Sequence, residues 1–408
     1  MLSVGEARER ILSFFSPVEA QTVPLDRAGG RVLAVDVFAS ADLPFFDNSG
    51  VDGFALHASG ISEASEANPK NLTVVADIPA GISADIRLAP GQAARIMTGA
   101  PIPKGADAVV MVEHTDFHDR APGTPAPQKI AVHAAIQPGE NIRRRGEDIR
   151  AGERVLSAGQ RLRPQDLGLL AMLGVAIVQV RRLPRLALLS SGDELVAVDA
   201  PLAAGKVRDA NAYTLTALAE RAGTEVIRLG IAADQRAAVQ SLLERAVAEK
   251  ADLIVSSAGV SVGAFDFVKH VVEEQGGLDF WKVNMRPGKP LAFGQYRGIP
   301  FFGLPGNPVS AFIGFEVFVR PAVEKLSGVP AQPRPRQHVR LAEPLSSDGR
   351  ETYLRAVLSE ENGCLIARLT GHQGSGNLLS LVQANALLIV PSEVKSLPAN
   401  AEVDAWLL

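Results

Sequence analysis

Residues 184–195 read PRLALLSSGDEL: a short apolar run, Leu186 to Leu189, set between Pro184 and the turn-forming Ser190-Ser191-Gly192-Asp193. A continuous apolar run of this length, bounded by turn signals, fits a strand buried on both faces. The chain downstream repeats the motif with helices between. Residues 211–222 read as a helix, 225–230 as a strand, 235–249 as a helix, 253–256 as a strand and 267–274 as a helix. Residues 280–283 and 301–303 follow as strands, and 308–326 as one long helix. Strands alternating with helices predict a mostly parallel sheet covered on both faces. In such sheets ligands bind beyond the carboxyl ends of the strands.

The flanking regions have a different texture. Val4, Ile11, Leu12 and Phe15 recur at helical spacing, so residues 4–15 are predicted to be helical. Residues 43–140 carry Gly/Pro punctuation and short β-branched runs such as 108–112, which predicts a strand-and-turn region with loops at 60–71 and 116–128. The longest apolar stretch, 167–180, covers about one-half to three-quarters of a bilayer span and is read as a buried element ending at Arg181 and Arg182. Residues 328–335 look like a linker. Runs at 339–341, 352–358, 364–368 and 386–390 then predict a small all-β module. The fold class is multidomain α/β plus β. Its expected parts are 1–45 with 141–183, a β-rich insertion at 46–140, an α/β domain at 184–328 and a β domain at 329–408.

Composition narrows the function. The 408 residues carry a net charge of −4 and only 5% aromatics, which argues against a nucleic-acid partner. One cysteine, Cys364, builds neither a disulfide framework nor a Cys-based zinc site. Charged residues Glu6, Arg8, Glu9 and Arg10 precede any apolar stretch, so no signal peptide is expected and the chain is placed in the cytoplasm, without a membrane partner.

Four strand-end loops stand out. They are residues 190–195 (SSGDEL), 232–234 (AAD), 256–266 (SSAGVSVGAFD) and 286–290 (RPGKP), the last followed by 305–310 (PGNPVS). Small residues between a strand and a helix leave backbone N–H groups free to face an anion, a role that suits Gly259, Ser261 and Gly263. Lys289 and Arg286 could neutralise charge on the same ligand. Glu194, Asp234 and Asp266 would repel one another unless a hard divalent cation sat among them, which suggests a phosphate–Mg²⁺ site. The amino-terminal half adds 46–53 (FDNSGVDG), 96–101 (IMTGAP) and 141–148 (NIRRRGED), the last packing three guanidinium groups against two carboxylates. An Arg triplet of this kind is more often a solvated or ion-pair face than a site. His114 and His118 have metal-ligand spacing only on a helix, whereas that stretch reads as a strand running into a loop.

In matching order, FDNSGVDGFA (46–55), RIMTGAP (95–101), NIRRRGEDI (141–149), SSGDEL (190–195), SSAGVSVGAFDF (256–267), RPGKPLAFG (286–294), GLPGNPVSA (303–311) and TGHQGSG (370–376) resemble the molybdopterin molybdenumtransferases, the MoeA proteins and the E domains of gephyrin. The resemblance implies a four-domain chain whose central α/β domain is like MogA, with a C-terminal β-barrel-like domain. It implies an elongated homodimer with a composite active site. The implied reaction joins adenylyl-molybdopterin and molybdate to give molybdenum cofactor and AMP, with Mg²⁺ required. It points to a molybdopterin adenylyltransferase as a partner protein. Asp234 and Asp266 match carboxylates that hold Mg²⁺. Glu194 and Ser261 match nucleotide- and phosphate-site positions. Lys289, Pro290 and Ser310 fall where molybdate docks, within a segment that also holds Arg286 and Pro305, while Arg355 and Ser375 close that pocket. Asp52, Thr98, Arg143 and Asp148 match positions that face the partner subunit's pocket. The chain departs from the family pattern at Gly50-Val51, Ala212, Ala258 and Arg286.

Three other readings compete. Residues 259–263 are literally G-x-S-x-G, so Ser261 with His338 or His372 would make a serine hydrolase. A related α/β domain also serves adenylyltransferases and nucleotide hydrolases. A scaffold without catalysis is the third.

Overall fold

The computed structural model describes residues 1–82, 85–118, 121, 123–257, 267–330 and 334–408, with Trp281 described by its backbone alone. They form two compact units: residues 36–157 with 168–176, and residues 1–35, 158–167 and 177–408.

The smaller unit is built on five strands, β1 (Gly53–Leu56), β2 (Lys70–Ile78), β3 (Gln92–Ile96), β4 (Ala108–Met111) and β5 (Lys129–Val132), in the order β4-β1-β3-β2-β5. Every residue of β1 is buried, because both faces are covered. Phe54 and Leu56 join Val110, Ile130 and Val132 on one side, while Ala55 joins Ala94, Ile96 and Val109 on the other. Gly53 is required here: a Cβ would lie 1.9 Å from the carbonyl oxygen of Val110.

The larger unit holds the predicted α/β sheet. Its six strands are β6 (Arg185–Ser191), β7 (Glu225–Ala232), β8 (Leu253–Ser257), β9 (Leu278–Lys282), β10 (Pro290–Tyr296) and β11 (Ile299–Leu304), ordered β7-β6-β8-β11-β10-β9. The first four are mutually parallel, and β10 and β9 add antiparallel edges. Side chains along β6 alternate between two cores. Leu186 and Leu188 face a cluster with Phe293 and Phe302. Ala187 and Leu189 face one with Val239 and Val271. Helix α1 (Val4–Leu12), started by a Ser3–Glu6 capping box, packs Val4, Ala7 and Ile11 into the first core. Helices α2 (Ala210–Ala222), α3 (Arg236–Ala248) and α4 (Phe267–Gln275) follow β6, β7 and β8.

The predicted long helix at 308–326 is one helical rod with a defect. It comprises α5 (Pro308–Gly314), a π-helical turn Phe315–Val319 and α6 (Arg320–Leu326). Glu316, 3% exposed, sits in that turn and pairs with Arg320 at 3.3 Å and with Arg334. The Arg334 guanidinium lies 5.1 Å from the centroid of the Trp406 ring and donates to the Leu407 carbonyl at 2.6 Å. The turn thus anchors the carboxyl-terminal module. That module is a closed five-stranded barrel of β12 (Gln337–Leu341), β13 (Glu351–Glu361), β14 (Cys364–Leu369), β15 (Ala386–Val390) and β16 (Glu402–Leu407). Pairing of β13 with β15 closes the ring. A two-residue strand, Met285–Arg286, pairs parallel with the start of β13 and joins the barrel to the α/β sheet.

Four expectations need correction. The first helix stops at Leu12, capped by Ser13, because the Phe14 and Phe15 N–H groups turn to the carbonyls three residues back, Ile11 at 3.1 Å and Leu12 at 3.3 Å, which places Phe15 in the core from a turn. Residues 167–180 are not one element. A helix, Pro164–Met172, ends before Gly174 at φ +73°, and a separate strand, Ile177–Arg181, pairs with Ala20–Pro24. Residues 58–61 form a 3₁₀ turn, and β2 begins at Lys70, inside the expected loop. Strands β10 and β16 were not anticipated.

Glu316→Ala would leave Arg334 at a buried site without a counter-charge, while Arg320 would keep Glu324 at 3.1 Å. Urea denaturation should show a loss of about 3–5 kcal/mol, and Glu316→Leu with Arg334→Met should recover most of it. An unchanged midpoint for Glu316→Ala would show that the clamp carries no stability.

Candidate functional site

The α/β sheet and the barrel together enclose a cavity of about 320 Å³. Four segments line it: the turn at Arg286–Pro290, the β11–α5 turn with Pro305, Asn307 and Ser310, the start of β13 from Arg350 to Arg355, and Gln373, Gly374 and Ser375. Arg355 is the central feature. Its side chain is 0% exposed, and its guanidinium bonds only to neutral oxygens: Ser380 Oγ at 3.1 Å and the carbonyls of Gly374 at 3.0 Å and His372 at 3.5 Å. One terminal nitrogen, Nη1, is buried with no partner among the described residues. Burial pushes the Arg355 pKa down to about 10, so it is still a cation at neutral pH. Gln373 brackets the Arg355 backbone, accepting from its N–H at 2.9 Å and donating to its carbonyl at 3.1 Å, which ties the 370–376 loop to β13.

Further cations converge on the cavity. Lys289 has no carboxylate within ion-pair distance among the described residues. Arg350 and Arg286 share one carboxylate, Asp348, with Arg350 Nε at 3.0 Å and Arg286 at 3.6 Å. The Arg350 hydrogen bonds hold the Asp348 carboxyl below its ordinary range. Four cations against one carboxylate leave a strong positive field in a small, partly enclosed space. Asn307 Nδ2 donates to Ser375 Oγ at 3.0 Å, and the Val309 N–H to the Ser375 carbonyl at 3.1 Å, which fixes the floor of the cavity. Every predicted residue of this group, Arg286, Lys289, Pro290, Pro305, Ser310, Arg355 and Ser375, lines the one cavity. Arg350, Asn307 and Gln373 were missed. Asn307 and Gln373 lay inside quoted motifs, whereas nothing local marks Arg350.

A second, acidic feature sits at the carboxyl ends of β6 and β7. The Asp234 N–H donates to Asp193 Oδ1 at 3.0 Å, and the Asp193 N–H reaches Asp234 Oδ2 at 3.4 Å, so the two loops clasp each other. Gly192 adopts φ +145°, and a Cβ there would lie 2.5 Å from the Glu194 carboxylate folded over it. Glu194 and Asp234 are therefore brought to adjoining loops, and Asp193, passed over in the sequence, lies between them. Gly259, Ser261 and Asp266, together with Ala258, lie outside the described residues. Among the described residues no group of three His, Cys, Asp or Glu is placed to hold a metal. Asn211 Nδ2 donates at 2.7 Å both to Ser257 Oγ and to the Gly306 carbonyl, joining the end of β8 to the loop after β11.

Asp52, Thr98, Arg143 and Asp148 belong to the other compact unit. Asp52 Oδ1 accepts from the N–H and hydroxyl of Thr98, both at 2.7 Å. Arg143 pairs with Asp148 at 2.6 Å, Arg144 with Asp47 at 2.7 Å and Arg145 with Asp42 at 2.7 Å. The Arg triplet is thus an exposed ladder of ion pairs. Thr98 and Asp52 also line a cavity of about 420 Å³ with Phe54, Met97, Met111 and Phe117. Of the departures from the family pattern, Arg286 keeps a carboxylate partner in Asp348, and the Ala212 N–H donates to the capping Asp209 Oδ1 at 3.0 Å. His338 lies on β12 and faces Asp404 at 2.9 Å, and the stretch at 112–114 is a 3₁₀ turn continuing β4.

Three family models match in sequence order: "MoeA N-terminal region (domain I and II)" at residues 2–174, "Probable molybdopterin binding domain" at 187–325 and "MoeA C-terminal region (domain IV)" at 338–408. Molybdopterin molybdenumtransferase 2 of Mycobacterium tuberculosis is 39% identical over 413 residues, covering 100% of this chain and 99% of that protein. The molybdopterin molybdenumtransferase of a Nostoc species is 38% identical, covering 92% of this chain and 86% of that one. The solved molybdopterin biosynthesis moeA protein of Pyrococcus horikoshii superposes with a TM-score of 0.83 at 32% identity, with both chains covered fully. Fold, domain order and full-length identity agree, and the chain belongs to the molybdopterin molybdenumtransferase family of enzymes.

Proposed function

We propose that this enzyme inserts molybdenum into adenylyl-molybdopterin, using molybdate and releasing AMP. The observation that carries the reading is the buried Arg355 guanidinium, uncompensated by any described carboxylate and set in one cavity with Lys289. A charge buried this way is costly unless an anion completes it. A compact tetrahedral dianion suits a 320 Å³ hollow with Ser310 and Ser375 hydroxyls on its wall. Family membership places the chain in molybdenum cofactor biosynthesis.

The chain's own residues divide the work. Arg355 and Lys289 hold the oxyanion by charge-assisted hydrogen bonds. The loop ties through Ser375 and Gln373 keep those donors fixed, so little reorganisation is needed when the ligand arrives. The acidic loops carrying Glu194 and Asp234 stand at the carboxyl ends of the parallel strands, where the nucleotide end of the substrate would lie. Holding both substrates on one rigid sheet converts an encounter between two anions into an oriented contact. The oxygen donors of Asp234, with Asp193 beside it, fit a hard divalent cation that keeps most of its water, and Asp266 would complete the set. Mg²⁺, when bound, supplies Lewis-acid polarisation of the phosphoanhydride.

The remaining expectations belong to the same reading. The enzyme works as a homodimer in which Asp52, Thr98, Arg143 and Asp148 of one copy serve the pocket of the other. A molybdopterin adenylyltransferase hands over the substrate, and the chain works in the cytoplasm. None of the described helices is long and apolar enough to cross a membrane.

Purified protein incubated with adenylyl-molybdopterin, Mg²⁺ and molybdate should yield AMP and cofactor together, and folded protein that yields neither defeats the reading. Lys289→Ala should raise the molybdate concentration for half-maximal rate by about tenfold, the worth of one charge-assisted contact, with little change in Tm. Asp266→Asn should keep the fold and lose AMP release. Normal turnover by that variant at saturating Mg²⁺ would remove Asp266 from the mechanism.

A further inference from the structure

The opposite end of the α/β sheet carries a second cationic hollow. Strand β6 runs seven residues from Arg185 to Ser191, so its amino end is roughly 20 Å from the acidic loops. There a cavity of about 500 Å³ opens among Arg31, Arg182, Arg185 and Lys250, with Glu19 and Glu225 on its lining.

The charges at this end do not balance. Arg182 is held by Glu19 at 2.6 Å and by Asp252 at 2.6 Å. Arg185 faces Glu225 at 3.3 Å and donates to the Glu249 carbonyl at 3.2 Å. These pairs use every carboxylate on the lining. Arg31 and Lys250 are left with no carboxylate partner among the described residues. Arg31 donates once, from Nη2 to the Arg181 carbonyl at 2.8 Å, while its Nε is buried without a partner among the described residues. The other terminal N–H groups of this guanidinium have no acceptor among the described residues, so the part of the fork that lines the hollow is a place for one. Lys250 stands at φ +55° in the turn between α3 and β8. That turn fixes its backbone on the rim.

We propose that this hollow is an anion site for a compact oxyanion of the phosphate or sulfate type, held between the Arg31 fork and the Lys250 ammonium. A planar guanidinium edge matches two oxygens of a tetrahedral anion, and the ammonium adds a point charge. Glu19 and Glu225 set the size limit, since an extended polyanion would run into them. The site is separate from the Arg355 cavity and does not depend on the reading of that cavity.

The test is calorimetric titration of the full chain with inorganic phosphate at fixed ionic strength, with sodium sulfate and sodium chloride as parallel arms. Phosphate and sulfate should bind and chloride should not. Lys250→Met, at an exposed position, should weaken one phosphate-binding step at least tenfold without altering Tm in phosphate-free buffer. Arg31→Met should weaken the same step, and Lys289→Met should leave it intact. The proposal is overturned if phosphate binding vanishes in Lys289→Met, if it is unaffected by Lys250→Met, or if chloride reproduces the heat.

Discussion

The cavity between the α/β sheet and the barrel is built around a cation buried without a counter-ion among the described residues. Removing a guanidinium from water costs several kcal/mol even after relaxation. Arg355 recovers part of this from the Ser380 hydroxyl and the Gly374 carbonyl, which solvate the charge without cancelling it. A carboxylate in that place would stabilise the fold more and abolish the field. Neutral oxygens hold the side chain still and leave its charge available. The wall of the cavity is therefore stable enough to form and unsatisfied enough to bind.

Such a cation is useful only if the opposite wall stays in register. Two features of the larger unit see to that. The strand Met285–Arg286 hydrogen-bonds to the start of β13, so the turn bearing Lys289 is continuous with the barrel. The π-helical turn directs Glu316 inward to Arg334, whose guanidinium covers Trp406 on the last strand. A regular α-helix would carry Glu316 on a different side of the rod, because the wider turn resets the rotation of everything after it. The defect is what lets a helix of the α/β layer clamp the barrel.

How much of this was legible follows from the range of each interaction. Alternation of strands and helices is local, so β6, β7, β8 and the helices between them could be read directly. β10 escaped because it opens with Pro290 and contains Gly294, which break the strand signal, and only its partners β9 and β11 make it a strand. The π turn leaves no trace in a pattern of period 3.6. The strand-end loops were legible as one site from their composition and their place after the strands, whereas Arg355 and Ser375 could be joined to them only from resemblance. Arg350 and Asp193 show the limit. Each is an ordinary polar residue in its own segment, and each acquires meaning from a partner far along the chain: Met285 for Arg350, Asp234 for Asp193.

The two features of the sheet rim have opposite sign, and the sheet keeps them apart. Glu194 and Asp234 follow β6 and β7 at one side, whereas Lys289, Ser310 and Arg355 gather around β10, β11 and the barrel at the other. Charges this strong would neutralise each other if their loops were free to meet, and the cavity would then offer no net field to an anion. Between them stand β8 and the Asn211 amide, bonded to both Ser257 and Gly306. Buried amides that satisfy two partners at once are costly to displace, since either partner left alone pays its full desolvation. The rim therefore holds a charge gradient by hydrogen bonds that themselves carry no charge.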